Sequence, residues 1–269
     1  MIVDGKAIAE DIKKTLTEEV LERKDTPRLF IITVGDDAVS ERYLRMKKKF
    51  GEAIGVEVSV VSLENEADII EYIKHVPEKN AGVIVQLPLP SSFNTEKILE
   101  MIPSSKDPDM LSGVSLHAYE EGTTKIVPPV VGAVKEILLR HGVFVGNKHV
   151  AIMGRGKLVG APSAVWFRRH GSIVSVVSTK TKDASEILKQ ADIIVTGVGK
   201  AGVVQPSMIK EGVVIIDAGT SELGGETRGD VDRGCSEKAT IFTPVPGGVG
   251  PITVAMLFKN LLELTREEN

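Results

Sequence analysis

Residues 149–162 read HVAIMGRGKLVGAP, and this segment indicates the architecture more clearly than any other. Its first five residues, His149–Met153, form a short apolar run typical of a strand that is covered on both faces. Gly154, Gly156 and Gly160 follow, and such glycines let backbone amides approach a pyrophosphate at a helix N-terminus. The segment therefore predicts a dinucleotide-binding turn. The spacing G-x-G-x-x-x-G is one residue longer than the usual fingerprint, so a plain glycine-rich turn is the alternative.

The end of the next predicted strand indicates which nucleotide binds. An NAD site usually has an acidic residue there, which binds the ribose 2′-hydroxyl. Here the strand is followed by Ser178-Thr179-Lys180-Thr181-Lys182, which contains no acid, and Arg155 lies in the glycine turn. Hydroxyls and cations bind a 2′-phosphate rather than repel it, so these residues favour NADP. A solvated polar loop is the alternative.

Short apolar runs alternate with helical patterns along the rest of the chain, which predicts parallel sheets with right-handed crossovers. The predicted strands are Arg28–Val34, Val56–Leu63, Gly82–Leu87, His149–Met153, Ser172–Val177, Asp192–Val195 and Val213–Asp217. The predicted helices are Ser40–Ile54, Ala67–His75, Val130–His141 and Thr253–Glu267.

The chain changes character after Pro90, where prolines interrupt the pattern until the second strand series begins. We therefore predict an α/β protein with two domains. The first is an N-terminal three-layer α/β domain, residues 1–126, to which the C-terminal helix 251–269 returns. The second is a Rossmann-type doubly wound domain that binds NADP, residues 127–250. One continuous sheet through the whole chain is the alternative.

Composition excludes several classes of protein. The chain has 269 residues, 4% of them aromatic, and a net charge of −4, so neither a stacking surface nor a basic field for nucleic acid is expected. The single cysteine, Cys235, can form no internal disulfide, and the five histidines are scattered without ligand spacing, so no metal is predicted. No apolar run approaches a membrane span, and the N-terminus lacks a signal-peptide core. A soluble cytoplasmic protein without membrane or nucleic-acid partners is expected.

Polar residues in the first half are candidates for chemistry. Tyr43 and Lys47 are four residues apart and share a helix face, where a phenol can stack on a planar ligand and an amine can transfer a proton. Neighbouring basic residues and partial burial would lower the pKa of that amine. Gln86 ends a predicted parallel strand, the position where open α/β sheets place ligand sites, and Asp109 follows on a proline-stiffened loop. The alternatives are an exposed helix face and a turn capped by Asp107 or Asp109.

Together these motifs resemble the bifunctional methylenetetrahydrofolate dehydrogenase/methenyltetrahydrofolate cyclohydrolase family, called FolD in bacteria. The resemblance runs from end to end, and QLPLP combined with the last motif makes it specific. The matching motifs are VGDD with Ser40-x-x-Tyr43-x-x-x-Lys47, VQLPLP at 85–90, Lys106-Asp-x-Asp109, GRGKLVGAP at 154–162, Gly229-Asp-Val-Asp232 and TPVPGGVGPIT at 243–253.

The resemblance implies oxidation of 5,10-methylenetetrahydrofolate with NADP and hydrolysis of the methenyl product to 10-formyltetrahydrofolate. It implies that Lys47 is the principal catalytic residue, that Gln86 orients it and that Tyr43 stacks on the folate. Asp109 would hold the amino edge of the pterin, with Ser40 beside this cluster. Positions implied near the folate are Pro246, Gly247 and Gly248, and those implied at NADP are Gly154, Arg155, Gly156, Gly160, Thr179 and Thr220, with Arg155 and Thr179 at the 2′-phosphate.

The resemblance also implies a homodimer, a cytoplasmic location and a place in one-carbon metabolism and purine biosynthesis. The chain departs from the family where Gly156 replaces a serine of Gly-Arg-Ser, Thr179 replaces another serine, and Met110 replaces the glycine of Asp-Gly. The Pro-Cys-Thr-Pro motif has become Pro128-Pro129-Val130-Val131. Alternatives are an NAD(P)-dependent dehydrogenase of another small substrate, similar to shikimate dehydrogenase, a monofunctional family member, and a nucleotide-binding protein without catalysis.

Overall fold

The computed structural model describes residues 1–35 and 38–266, without the side chains of residues 38–40. The helices are α1 Gly5–Leu21, α2 Ala38–Ala53, α3 Glu66–His75, α4 Thr95–Glu100, α5 Gly113–Glu121, α6 Pro129–Arg140, α7 Gly160–Arg169, α8 Ala184–Gln190 and α9 Val249–Leu264. The strands are β1 Arg28–Thr33, β2 Glu57–Ser62, β3 Ala81–Val85, β4 His149–Met153, β5 Ile173–Val177, β6 Ile193–Thr196, β7 Val214–Asp217, β8 Ser221–Leu223, β9 Glu226–Arg228 and β10 Ile241–Phe242. Short 3₁₀ turns lie at Ser104–Lys106, Pro206–Met208 and Arg233–Glu237.

The chain divides into two compact units, each built around its own parallel sheet. The three-stranded unit comprises Ala9–Pro129 and Val254–Asn269, and the five-stranded unit comprises Met1–Ile8 and Val130–Thr253. The described strands thus form separate sheets, so the alternative of one continuous sheet is wrong. No helix within the described ranges combines the length and the apolar character needed to cross a bilayer.

The sheet of the three-stranded unit has the order β2-β1-β3, with every pairing parallel. Arg28, at the start of β1, pairs with Glu57 on one side and Ala81 on the other, so the carboxyl ends of the strands lie at one edge. Strand β3 is buried along its whole length, and Ile69 and Ile73 of α3 pack in the same core. The apolar runs of the sequence predict all three strands to within a residue or two at most ends.

Two short helices, α4 and α5, occupy the segment that its prolines predict to be irregular. Asn94 begins α4, where its side-chain oxygen accepts a hydrogen bond from the Lys97 amide at 3.0 Å. Ser112 begins α5 in the same way, and Gly122 ends it with a φ of 72°. Polar caps and a left-handed glycine define these helices, because such side chains bond the unpaired amides of a first turn.

The five-stranded sheet has the order β10-β7-β6-β4-β5 and is parallel throughout, with helices α7 and α8 packed on it. The predicted bounds of β4 are those observed, β5 and β7 begin one residue later than predicted, and β6 is shifted by one residue at both ends. The sequence predicts neither β10 nor the antiparallel hairpin β8–β9, whose strands have two and three residues. Elements this short carry no detectable period. The predicted α/β fold class is confirmed.

The first residues of the chain belong to the five-stranded unit, although the sequence assigns residues 1–126 to the first domain. The Val3 amide donates to the Phe242 carbonyl at 2.9 Å, and the Phe242 amide donates to the Met1 carbonyl at 2.9 Å. Residues 1–3 thus extend the edge at β10, which an apolar pattern of three residues does not reveal. The later part of α9, from Val254, belongs to the three-stranded unit.

Candidate active site

Lys47 and Gln86 form the centre of the candidate site. Lys47 lies on α2, one helical turn after Tyr43. Gln86 directly follows β3, where its backbone N–H still donates to the Ile32 carbonyl at 2.8 Å. The Lys47 Nζ donates to the Gln86 Oε1 at 3.0 Å. The Gln86 Nε2 donates to the Leu87 carbonyl at 2.9 Å, which fixes the amide with its oxygen toward the lysine. The structure therefore brings together two residues that lie 39 positions apart.

Burial lowers the pKa of Lys47, while the nearby Asp109 carboxylate raises it in part. The neutral amine is consequently easier to reach than on a surface lysine, as proton transfer at neutral pH requires. The expected help from neighbouring basic residues is not found, because desolvation and Asp109 account for the shift. Arg45 is neutralised by Glu41, with an ion pair of 2.9 Å.

Asp109 faces the same environment from a loop. Burial raises the pKa of Asp109, the Lys47 charge lowers it, and the Asp107 charge raises it further. Both members of the Lys47–Asp109 pair are thus shifted toward their neutral forms, because burial is the largest cause for each. A carboxyl group in this state can donate or accept a hydrogen bond with a ligand.

The loop that carries Asp109 is held by Asp107. This fully buried carboxylate accepts hydrogen bonds from the Leu111 amide at 3.2 Å, the Ser112 amide at 2.9 Å and the Ser112 hydroxyl at 2.8 Å. Of the two acids, Asp107 is therefore the turn cap. Met110 directly follows Asp109 and has a φ of 54°, a region that favours glycine, and its side chain is 1% exposed.

Two further contacts fix this loop, and the sequence motifs predict neither of them. Asn260 on α9 is buried and donates from Nδ2 to the Pro108 carbonyl at 2.9 Å and the Val127 carbonyl at 2.8 Å. The buried Lys106 donates from Nζ to the Val76 carbonyl at 2.8 Å. Lys106 belongs to a recognised motif, whereas nothing in the local pattern of α9 marks Asn260.

The remaining residues predicted at the folate are Ser40, Pro246, Gly247 and Gly248. Ser40 lies in α2, but its side chain is outside the described part of the chain. Pro246, Gly247 and Gly248 belong to the five-stranded unit, in the turn before α9. The Gly247 carbonyl accepts from the Gly5 amide at 3.0 Å, and a Cβ on Gly248 would lie 2.6 Å from the Pro244 carbonyl oxygen. This turn is thus closely packed and needs its glycine.

The glycine turn after β4 has the geometry of a dinucleotide cradle. Gly154 has a φ of 99°, and its amide donates to the Val177 carbonyl at 2.9 Å. A Cβ on Gly160, at the start of α7, would lie 2.2 Å from the Gly154 carbonyl oxygen, so the turn and the helix approach more closely than a side chain allows. A Cβ on Gly156 would meet nothing within 4 Å, so the serine of the family pattern would fit there.

Arg155 and Thr179 lie at the carboxyl ends of neighbouring strands, since Met153 of β4 pairs with Val177 of β5. Both are exposed. The turn that holds Thr179 is closed by its neighbours, because the Thr181 hydroxyl oxygen accepts from the Ser178 amide at 3.0 Å. Thr220, also predicted at the cofactor, follows β7 at the same edge of the sheet and is half-buried.

These features fit a phosphorylated dinucleotide. The turn and the N-terminus of α7 approach each other more closely than a side chain allows, and the exposed Arg155 belongs to the same turn. Within the described ranges, no group of three or more His, Cys, Asp or Glu side chains is arranged to hold a metal ion.

Fold and site together define a two-unit α/β protein with a dinucleotide-binding turn in one unit and a lysine–amide–carboxylate cluster in the other. Residues 3–109 match the family model of the tetrahydrofolate dehydrogenase/cyclohydrolase catalytic domain. Residues 128–269 match that of the tetrahydrofolate dehydrogenase/cyclohydrolase NAD(P)-binding domain. The chain therefore belongs to the tetrahydrofolate dehydrogenase/cyclohydrolase family, as its motifs predict.

Individual proteins are similar over the whole length. Bifunctional protein FolD 2 of Lactobacillus johnsonii is 36% identical over 277 residues, which cover 100% of this chain and 98% of that protein. The bifunctional FolD methylenetetrahydrofolate dehydrogenase/cyclohydrolase of Campylobacter jejuni has a TM-score of 0.94 at 33% identity, covering 98% of both chains. The FolD methylenetetrahydrofolate dehydrogenase-cyclohydrolase of Trypanosoma brucei, complexed with NADP cofactor and inhibitor, has a TM-score of 0.93 at 34% identity, covering 98% of this chain and 97% of that one.

Proposed function

We propose that this protein oxidises 5,10-methylenetetrahydrofolate to 5,10-methenyltetrahydrofolate with NADP⁺ and hydrolyses the methenyl form to 10-formyltetrahydrofolate. The observation that carries this proposal is the Lys47–Gln86 hydrogen bond of 3.0 Å beside Asp109, in a chain of this family. Membership of both halves of the chain in the family favours this activity over a dehydrogenase of another substrate.

Lys47 is assigned the proton transfers of the hydrolysis. Water adds to the methenyl carbon and loses a proton, which gives a hydroxyl intermediate. That hydroxyl then loses its proton to become the formyl carbonyl as one ring carbon–nitrogen bond breaks and the departing nitrogen gains a proton, so that one proton is released overall. A lysine whose pKa is lowered by burial can take up and return such protons. Gln86 accepts from the amine and so orients it, and Tyr43, one turn away, provides a ring that can stack on the folate. Asp109 binds the amino edge of the pterin, with Ser40, Pro246, Gly247 and Gly248 as further substrate contacts.

Hydride transfer depends on positioning rather than on a protein base. NADP⁺ supplies the hydride acceptor when it is bound. Its pyrophosphate is assigned to the turn with Gly154, Gly156 and Gly160, and Arg155 and Thr179 are assigned to the 2′-phosphate. Thr220 completes the cofactor contacts at the carboxyl edge of the sheet. The five-stranded unit is thus proposed to bind NADP, and the three-stranded unit to bind folate and carry the catalytic residues.

The direct test measures both reactions by absorbance. The purified protein is given methylenetetrahydrofolate with NADP⁺ or NAD⁺, and the reduced nucleotide and the methenyl product are recorded separately. Methenyltetrahydrofolate is then supplied without nucleotide, and its disappearance is followed. We expect turnover in both assays and faster oxidation with NADP⁺. Oxidation without hydrolysis would identify a monofunctional enzyme, and NADP⁺ binding without turnover would identify a non-catalytic protein.

Arg155→Ala is expected to weaken the use of NADP⁺ far more than the use of NAD⁺, because only NADP⁺ carries the 2′-phosphate. A charge-assisted hydrogen bond contributes about 1.5–3 kcal/mol, which corresponds to roughly 10- to 150-fold in kcat/KM. The measurement is kcat/KM for each nucleotide at fixed ionic strength. Arg168→Ala is the matched control, since it removes the same charge from the far end of α7. Equal losses with both nucleotides would exclude Arg155 from phosphate recognition.

Asp109→Ala is expected to raise the KM for folate in both reactions while the Kd for NADP⁺ is unchanged. The substitution leaves pterin donors without an acceptor, at about 1–3 kcal/mol for each one. Folate KM is measured in the two assays and NADP⁺ affinity by calorimetry. Normal folate KM values in the variant would show that the loop with Met110 binds the pterin through other groups.

Quaternary structure and cellular context are further parts of the proposal. Family membership supports a homodimer, a cytoplasmic location and a supply of one-carbon units to purine biosynthesis. Sedimentation of the purified protein tests the first of these, with the dimer mass expected and the monomer mass contradicting it.

A further inference from the structure

Two buried aspartates lie at the carboxyl edge of the five-stranded sheet, outside the residues assigned so far. Asp217 is the last residue of β7 and is 2% exposed, and Asp230 follows the hairpin β8–β9 and is fully buried. The Asp230 carboxylate occupies the space that a side chain on Gly219 would need, and the Asp217 carboxylate occupies the space that a side chain on Gly229 would need. A Cβ on Gly219 would lie 2.1 Å from the Asp230 carboxyl carbon, and one on Gly229 would lie 2.1 Å from the Asp217 Oδ2. The two turns are therefore interlocked.

Asp230 holds the turn that follows β6. Its Oδ2 accepts from the Val198 amide at 2.6 Å and from the Thr196 hydroxyl, and its Oδ1 accepts from the Lys200 amide at 2.8 Å. A single carboxylate thus bonds the end of the strand and two amides of the turn beyond it. A side chain with one oxygen cannot satisfy both amides in this arrangement, because they are bound by different oxygens.

Asp217 holds the turns on the other side. Its Oδ1 accepts from the Gly219 amide at 3.0 Å and the Asp230 amide at 3.2 Å, and its Oδ2 accepts from the Val231 amide at 2.9 Å. The turn at 218–220, which includes Thr220, and the turn at 229–231 are therefore tied to the same strand end. Buried carboxylates that are bonded almost entirely to backbone amides act on the path of the chain.

The turn fixed by Asp230 packs directly on the cradle assigned to the cofactor. A Cβ on Gly154 would lie 3.3 Å from the Gly197 carbonyl oxygen, and one on Gly197 would lie 2.5 Å from the Val159 side chain. On its other side, a Cβ on Gly199 would lie 3.6 Å from the Thr220 carbonyl oxygen. Residues 197–200 thus lie between the glycine turn and Thr220, with Gly197 closely packed against Val159.

We infer that Asp230, supported by Asp217, is a positioning residue for NADP⁺: it fixes residues 197–200 against the glycine turn and so sets the shape of the cofactor site. The inference rests on the proposed function, which assigns NADP⁺ to this edge. It adds two acidic residues that act through the backbone, at an edge where ligands of open parallel sheets bind. Neither aspartate needs to touch the nucleotide.

The test compares Asp230→Asn with Asp232→Asn. Asp232 lies in the same motif but only caps a 3₁₀ turn, accepting from the Gly234 amide at 2.8 Å. Three quantities are measured: the Kd for NADP⁺ by calorimetry, amide hydrogen exchange at Val198 and Lys200, and hydrolysis of methenyltetrahydrofolate without nucleotide. In Asp230→Asn we expect the Kd to rise about 10-fold or more and exchange at one or both amides to accelerate, with hydrolysis unchanged. Asp232→Asn should match the wild-type protein in all three.

An unchanged Kd in Asp230→Asn would overturn the inference, and so would an equal loss of hydrolysis, which would indicate a general structural role. Should Asp230→Asn fail to fold, Asp217→Asn decides instead. Burial raises the pKa of Asp217 to about 6, so a neutral side chain costs less there than at a carboxylate with an ordinary pKa. The same weakening of NADP⁺ binding is expected, with faster exchange at Gly219 and Val231. Absence of NADP⁺ binding in the wild-type protein would contradict the proposed function itself. This outcome differs from an unchanged Kd in Asp230→Asn, which would contradict only the inference about Asp230.

Discussion

Lys47→Met is expected to abolish nearly all hydrolysis of methenyltetrahydrofolate while part of the oxidation remains, so that the methenyl product accumulates. The substitution keeps the length and apolar stem of the side chain and removes the group that donates to Gln86 at 3.0 Å. Proton transfer by a positioned side chain contributes about 10²–10⁴-fold to a rate, whereas hydride transfer depends on alignment. The measurement is the ratio of the two rates in a single preparation.

Lys48→Met provides the matched control, because it makes the same change on the next residue of α2. The Lys48 ammonium is exposed and forms a long ion pair of 4.0 Å with Glu52. Gln86→Leu should show the Lys47→Met pattern in weaker form, since it leaves the amine in place but without its acceptor. Undiminished hydrolysis in folded Lys47→Met would remove the lysine from the mechanism. Equal and complete loss of both reactions would show that it also positions the folate for hydride transfer.

Asp217 is expected to make the protein less stable as the pH rises from about 4 to about 6, because burial and the Asp230 charge raise its pKa from 3.8 to about 6. Between these values the folded state binds the proton more tightly than the unfolded state does. Its contribution to the free energy of unfolding is therefore fully present below the pKa of the unfolded state, 3.8. The contribution is lost as the pH rises through the pKa of the folded state, about 6. At 1.36 kcal/mol for each pKa unit, the loss amounts to about 3 kcal/mol.

Asp217→Asn isolates this contribution, since the amide does not titrate. Chemical denaturation of both proteins near pH 4 and near pH 7 gives the free energies of unfolding, and the wild-type decrease should exceed that of the variant. Parallel pH dependences in the two proteins would show that Asp217 is ionised in the folded state throughout this range.

The strands of the fold are largely predictable because their buried residues form short apolar runs in the sequence. β4 and β7 each contain four consecutive buried residues and end at or beside a glycine or a charged residue, so their limits coincide with a change in residue type. β10 has two residues, which pair with Val214 and Ile215 of β7 on one side and with residues 1–3 on the other. No pattern within two residues can predict such a pairing, so this edge depends on tertiary structure.

The candidate site divides in the same way. Spacing on α2 predicts that Tyr43 and Lys47 share a face of the helix. The position of Gln86 at the end of a predicted parallel strand predicts that it lies at the carboxyl edge of the sheet. Which of Asp107 and Asp109 faces the ligand is not decided locally, since both acids lie on one loop. It follows from the Ser112 amide and hydroxyl, which occupy Asp107 and leave Asp109 beside Lys47.

The grouping of Met1–Ile8 with Val130–Thr253 has a consequence for how the chain is completed on the ribosome. The Val3 amide donates to the Phe242 carbonyl at 2.9 Å, so this edge of the five-stranded unit cannot form until β10 has been synthesised. The three-stranded unit likewise takes its final helix, from Val254, after the other sheet has been synthesised. Vectorial synthesis therefore cannot finish one unit before starting the next, and we expect both to reach their final form only after β10 and α9 have been synthesised.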